Sequence, residues 1–125
     1  MIAYTNNIVG IMRFYNEMPE NLPRAALSLR KVCRYVIGYD DGSTDDWREH
    51  SPPLFDLTIT GNENCWEEET KHRAQLLEQA YKFQPDWILQ LDADEELSDG
   101  AVRFLQGRLD GQVSGYELLQ LNLWR

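Results

Sequence analysis

Two aspartates separated by one residue, Asp92 and Asp94, directly follow a short apolar run and are the clearest candidates for chemistry. Residues two apart on extended backbone point to the same side, so both carboxylates can face one ligand. One or two carboxylates, together with substrate phosphate oxygens, are a usual ligand set for Mg²⁺ or Mn²⁺. A solvated acidic turn that caps the next helix is the alternative, and both interpretations stay open.

A second acidic segment, Asp40-Asp41-Gly42-Ser43-Thr44-Asp45, follows another apolar run. A carboxylate at the end of a strand can accept an N–H group from a nucleobase, and Gly42 lets backbone approach a ligand closely. The same residue types are favoured in any turn or helix cap. The segment alone therefore does not distinguish a binding loop from a structural turn.

The helix expected before Asp92 carries one basic cluster, Lys71, His72 and Arg73. Basic residues on a helix usually face solvent, but a cation beside an acidic rim can face a diphosphate, which makes Arg73 and Lys71 candidates. His72 and His50 are expected at the surface. We find no arrangement of Ser, Cys and His typical of a nucleophilic enzyme.

Strand-like and helix-like segments alternate, and this pattern predicts an α/β fold with three layers and a mostly parallel sheet. Strands are expected at 8–14, 36–39, 55–60, 87–91 and 115–123, and helices at 21–33, at 67–83 and after a Ser98 cap, with a short helix at 44–49. The inner face of the long helix is expected to carry Ala74, Leu77, Ala80 and Tyr81.

Polar residues follow three of these strands, at Asn16 and Glu17, at Asp40 and Asp41, and at Asp92 and Asp94. In a parallel sheet these positions share the carboxyl edge, where ligands of such folds bind. Clustered carboxylates repel one another unless a cation compensates them. The expected explanation is therefore a bound divalent metal ion, with some of the carboxylates hydrogen-bonding to a ligand.

The composition sets the remaining limits. The chain has 125 residues, the size of one domain, with 12 basic and 21 acidic residues and a net charge of −9. This charge argues against nucleic acid and anionic lipid as partners. No apolar stretch is long enough to span a membrane, and the two isolated cysteines, Cys33 and Cys65, are expected to be free thiols in a reducing, cytoplasmic setting.

Three segments in combination resemble the family 2 glycosyltransferases, which have the GT-A fold. They are 8–17 (IVGIMRFYNE), 39–45 (YDDGSTD) and 86–97 (DWILQLDADEEL). Each is common alone, but their order and spacing are specific, and the resemblance covers nearly the whole chain. It implies a single nucleotide-sugar-binding domain over residues 1–125, a hexosyltransferase activity, a donor that is most often a UDP-sugar, and Mn²⁺ or Mg²⁺ bridging the diphosphate.

The resemblance also implies roles for individual residues. Phe14, Tyr15 and Glu17 would border the uridine, and Asp40 would contact the base with Asp41 beside it. Arg73, and less closely Lys71, match a basic position of the family in the helix before the Asp-x-Asp strand. Asp92 would lie near the ribose and the metal, and Asp94 would ligate the metal.

Members of this family usually continue beyond the Asp-x-Asp motif and supply a carboxylate general base from that later part. No residue here matches that base, and Glu95, Glu96 and Glu117 are the candidate substitutes. The sequence therefore leaves three interpretations: a transferase acting on an unknown acceptor hydroxyl, a non-catalytic or partner-completed nucleotide-sugar-binding module, and another nucleotide-using enzyme such as a nucleotidyltransferase. A shortened sheet also predicts a homodimer, because exposed strand edges self-associate.

Overall fold

The chain, examined as a computed structural model, is described at residues 6–61 and 66–115, apart from the side chain of Trp66. The strands are β1 (Ile8–Phe14), β2 (Tyr35–Asp40), β3 (Leu57–Thr60) and β4 (Trp87–Gln90), and the helices are α1 (Asn21–Arg30), α2 (Glu69–Tyr81) and α3 (Asp99–Gln106), with short 3-10 helices at Trp47–Glu49 and Trp66–Glu68. The strand predicted at 115–123 lies, from residue 116 onward, outside the described residues.

The four strands form one parallel sheet in the order β3-β2-β1-β4. β1 is central, with Ile11 aligned to Ile37 of β2 and Gly10 aligned to Leu89 of β4. The expectation of a parallel α/β sheet is confirmed. Every strand therefore ends at the same edge, as the argument for a shared site requires.

Alternate residues of β1 serve the two faces of the sheet. Ile8, Met12 and Phe14 pack with residues of α1 and α3, whereas Val9 and Ile11 pack with residues of α2. The helices therefore cover both faces and give three layers. This alternation places Arg13 on the α2 face, where a charged side chain needs a partner.

The two helices on the first face begin differently. Ser98 caps α3 as predicted, because its Oγ accepts the backbone N–H of Ala101 at 3.1 Å. At α1 no side chain caps the N-terminus: Asn21 is the first helical residue, and its side-chain amide donates to Glu17 at 2.9 Å. Among the described residues, no helix is long and apolar enough to cross a membrane.

The buried face of α2 differs from the prediction. His72, Leu76 and Ala80 are buried, whereas Leu77 and Tyr81 remain 36% and 65% exposed, and Ala74 is exposed too. The helix is turned because the imidazole of His72 stacks on Tyr39 of β2, with ring centroids 4.2 Å apart. The expectation that His72 lies at the surface is therefore wrong, and His72 continues the buried face that Leu76 and Ala80 form in the core.

Candidate functional site

A cavity of about 200 Å³ opens at the carboxyl edge of the sheet, between the ends of β1 and β4 and the start of α2. Six residues singled out from the sequence line it, namely Phe14, Tyr15, Glu17, Arg73, Asp92 and Asp94. The other lining residues are Ile11, Met12, Arg13, Glu69, Leu76, Gln90, Leu91 and Ala93. The fold therefore brings three distant segments of the chain to one cavity.

The turn after β4 presents Asp92 and Asp94 to the same side. Both aspartates are exposed. Leu91, which precedes them, and Ala93, which lies between them, are buried in the core beneath α1 and α3. Glu95 closes this turn, because its carboxylate accepts the backbone N–H of Asp92 at 2.9 Å and its own N–H donates to the Asp92 carbonyl at 3.0 Å. Two carboxylates are thus held at the rim of the cavity.

The loops after β1 and β2 are joined by Asn16. Its φ of 50° lies in the left-handed region, which asparagine tolerates better than most residues. The Asn16 side-chain oxygen accepts the backbone N–H groups of Thr44 at 2.8 Å and Asp45 at 3.3 Å. Gly42, with a φ of 85°, makes the second loop possible because other side chains are strained there. The cavity wall after β1 is therefore braced by the second loop.

Asp40 is buried and is occupied by contacts within the protein. Its carboxylate accepts the backbone N–H of Ser43 at 2.8 Å, the indole N–H of Trp47 at 3.1 Å and the guanidinium of Arg48 at 3.2 Å. Asp40 is not among the residues lining the cavity. These contacts show that Asp40 holds its loop; contact with a nucleobase stays a prediction.

Asp41 lies on the opposite face of the sheet and pairs with Arg13. The Arg13 Nη2 donates to the Asp41 carboxylate, and the Arg13 Nε donates to His72 Nδ1 at 3.0 Å. Arg13 was not among the site residues expected from the sequence. It could have been recognised as a charged residue inside the apolar run of a central strand, because a buried arginine requires paired acceptors.

Of the two basic residues predicted on α2, only Arg73 lines the cavity. Arg73 donates through Nη2 and Nε to Glu69 at 2.7 and 3.2 Å, and this hydrogen bond, followed by the charge of Arg73, lowers the pKa of Glu69. Lys71 is exposed and is not among the lining residues. The position of Arg73 agrees with a ligand-facing cation, and that of Lys71 with a solvent-facing one.

The carboxylates after β2 are compensated by protein cations, since Asp40 pairs with Arg48 and Asp41 with Arg13. The sequence-based expectation named a metal ion and a ligand as the partners of the clustered carboxylates, and did not include these two arginines. Within 6–61 and 66–115, no group of three or more His, Cys, Asp and Glu side chains is arranged to hold a metal. Asp92 and Asp94 still fit Mg²⁺ or Mn²⁺ chemically, because these ions use one or two carboxylates with phosphate and water oxygens.

The candidate general bases have unequal surroundings. Glu95 is used in the turn after β4, Glu96 is exposed, and neither lines the cavity. Glu117 lies outside the described residues. Within the cavity itself, Glu17 accepts a hydrogen bond from Asn21 and Glu69 is paired with Arg73. The geometry therefore supports binding more strongly than proton abstraction.

Comparisons with known proteins add no relative: no family model matches the chain, and no curated protein matches its sequence. The resemblance to family 2 glycosyltransferases consequently depends on the three quoted segments alone and stays a prediction. The parallel α/β sheet is what the structure adds to it.

Proposed function

We propose that this chain is the donor-binding core of a metal-dependent glycosyltransferase that takes a nucleotide-sugar, in first place a UDP-sugar. One observation carries the proposal: Tyr15 and Glu17 after β1, Arg73 on α2, and Asp92 and Asp94 after β4 line a single cavity. These residues combine an aromatic ring, a cation and paired carboxylates. That combination suits a base or sugar, a diphosphate and a divalent metal.

The proposed roles follow from position. Asp92 and Asp94 would hold Mn²⁺ or Mg²⁺, which supplies positive charge to a leaving nucleoside diphosphate. Arg73 offers a second cationic side chain at the same cavity, where it pairs with Glu69. Phe14 ends β1, Tyr15 follows it, and both would border the space for the nucleoside. The sugar acceptor and the general base are unassigned in this proposal.

A second candidate is a binding module that holds the donor without transferring the sugar. It is favoured by the engagement of the cavity glutamates, since Glu17 accepts from Asn21 and Glu69 is ion-paired with Arg73. Released UDP, measured with and without a panel of acceptor sugars, separates the two candidates. Acceptor-stimulated release indicates a transferase, and release at the same slow rate with every acceptor indicates the binding module.

The proposal predicts metal-dependent stabilisation by the donor. UDP or a UDP-sugar at about ten times its dissociation constant should raise the melting temperature by about 5 °C with Mn²⁺ present, and by much less with a chelator. Asp94→Asn should abolish the metal-dependent part, because it removes one carboxylate ligand. Differential scanning fluorimetry is the measurement.

The matched control is Asp46→Asn, which makes the same change at an exposed aspartate outside the cavity. Asp46→Asn should respond to UDP and Mn²⁺ like the unmodified protein. An unchanged melting temperature with every UDP-sugar and metal combination would contradict the proposed function. A response that Asp94→Asn retains in full would remove Asp94 from the site.

A further inference from the structure

A buried polar cluster lies behind the cavity, reaches it through Arg13 and involves residues that the proposed function does not use. Its members are Arg13 of β1, Tyr39 of β2, Asp41 after β2 and His72 of α2. Asp41 and His72 are buried, and the Arg13 side chain is 10% exposed. Arg13 lines the cavity, whereas His72 lies behind it. The cluster thus connects a cavity residue to the helix beneath.

The hydrogen bonds of the cluster fix the direction of the Arg13 guanidinium. The guanidinium is planar and its five N–H donors have fixed directions. The bond from Nε to His72 Nδ1, at 3.0 Å, and the bond from Nη2 to Asp41 define the orientation of that plane. His72 in turn is held by stacking on Tyr39. Arg13 is therefore set in one direction at the cavity wall.

The protonation state of His72 follows from the same geometry. Arginine can only donate, so Nδ1 of His72 must carry no proton while it accepts from Arg13. The charged and titratable groups around the imidazole include Arg13, Tyr39, Asp41 and Glu69 and, with Oε2 4.0 Å from Nε2, Glu68. Protonation at Nδ1 would remove the acceptor and place a second cation beside Arg13.

We propose that His72 is a positioning residue that, as a neutral imidazole, orients Arg13 toward the diphosphate group of a ligand in this cavity. The identity of the ligand as a diphosphate ester rests on the proposed function. The orientation of Arg13 by His72 is independent of it. In this scheme Arg13 supplies directed N–H groups for phosphate oxygens, the chemistry for which a guanidinium is best suited.

The test compares two substitutions of His72 with a matched control. His72→Phe keeps a ring on Tyr39 but removes the acceptor, and pyrophosphate binding should weaken about tenfold. His72→Asn places an oxygen near the position of Nδ1 and should restore affinity to within about threefold. His50→Phe makes the same change at a histidine outside the cavity and should leave binding unchanged. Isothermal titration calorimetry measures the affinities.

Rescue by His72→Asn is the readout that a merely structural role would not give, because this variant restores the acceptor without restoring the ring. The inference would be overturned if His72→Phe bound pyrophosphate as tightly as the unmodified protein. It would also be overturned if His72→Asn bound pyrophosphate as weakly as His72→Phe.

A measurement on the unmodified protein serves if His72→Phe fails to fold. The NMR resonance of the Arg13 Nε–H should shift when pyrophosphate is added, and the absence of a shift would overturn the inference. Titration with UDP and Mn²⁺ separates the two proposals. A shift with pyrophosphate but no binding of any UDP compound supports the role of His72 and Arg13 while it contradicts the proposed function.

Discussion

The adjacent residues Asp40 and Asp41 lie at the end of β2 and bind different partners on opposite faces of the sheet. Successive side chains point to opposite faces, so Asp40 meets Trp47 and Arg48 on one side and Asp41 meets Arg13 on the other. Both carboxylates are buried. Removing one member of a buried ion pair is costly because it leaves the other charge uncompensated.

Asp41→Asn should therefore destabilise the protein by about 3–5 kcal/mol, because Arg13 would lose its counter-charge in the interior. Urea unfolding monitored by circular dichroism measures the change. The matched variant is Glu69→Gln, which makes the same acid-to-amide change in the exposed Glu69–Arg73 pair. Its unfolding midpoint should stay close to that of the unmodified protein, and an equally large loss in both variants would contradict the argument from burial.

At the scale of elements, β2 packs against a cluster of three aromatic side chains, Phe14, Trp47 and Phe55, that also supports the candidate site. Phe55 stacks on Phe14 with centroids 5.2 Å apart, and Trp47 meets Phe14 edge-on at 5.0 Å. The indole of Trp47 donates to Asp40. A Cβ added at Gly38 would lie 2.9 Å from three atoms of the Phe55 ring. The absence of a side chain at Gly38 thus allows the aromatic group to lie directly on the strand.

Gly38→Ala should lower the free energy of unfolding by about 1–3 kcal/mol, because the Phe55 ring must move away from β2. Gly111→Ala is the matched control, since a Cβ there would meet nothing within 4 Å. The control should change stability by no more than about 1 kcal/mol in either direction. Comparable losses in both glycine variants, measured by urea unfolding, would show that the Phe55 contact is not the cause.

At the scale of the whole molecule, the ionisation of a thiol buried in the core, that of Cys33, is linked to unfolding. Cys33 is buried just after α1, and burial raises its pKa from 9.0 to about 12, with a smaller opposing effect of Arg30. The unfolded thiol ionises first as the pH rises. The Cys33 contribution to stability is therefore complete below pH 9.0 and is lost as the pH approaches about 12.

The free energy of unfolding should fall more steeply above pH 9.0 in the unmodified protein than in Cys33→Ala, which has no thiol at this position. Chemical unfolding at a series of pH values measures the two slopes. Iodoacetamide at about pH 8 gives an independent check, because only a thiolate reacts. Peptide mass spectrometry should find Cys33 alkylated in urea and unmodified in the native protein. Rapid native alkylation would contradict the burial argument.

The sequence predicted the sheet better than it predicted the helix that completes the cavity. The alternation of strand-like and helix-like segments was sufficient to infer parallel strands, and the polar residues after β1, β2 and β4 then indicated a shared edge. The orientation of α2 could not be inferred, because it depends on polar contacts of His72 with residues distant in sequence. Apolar periodicity favoured Leu77 and Tyr81 instead. The glycosyltransferase activity, the metal and the homodimer stay predictions.

The central position of β1 has a consequence for the order of folding. β1 is synthesised before the other three strands of the described sheet, yet one of its two neighbours, β4, is the last of the four. One edge of the nascent β1–β2–β3 sheet therefore stays open while the loop and α2 are made. Such an edge is where a chaperone or a second nascent chain would attach until β4 arrives.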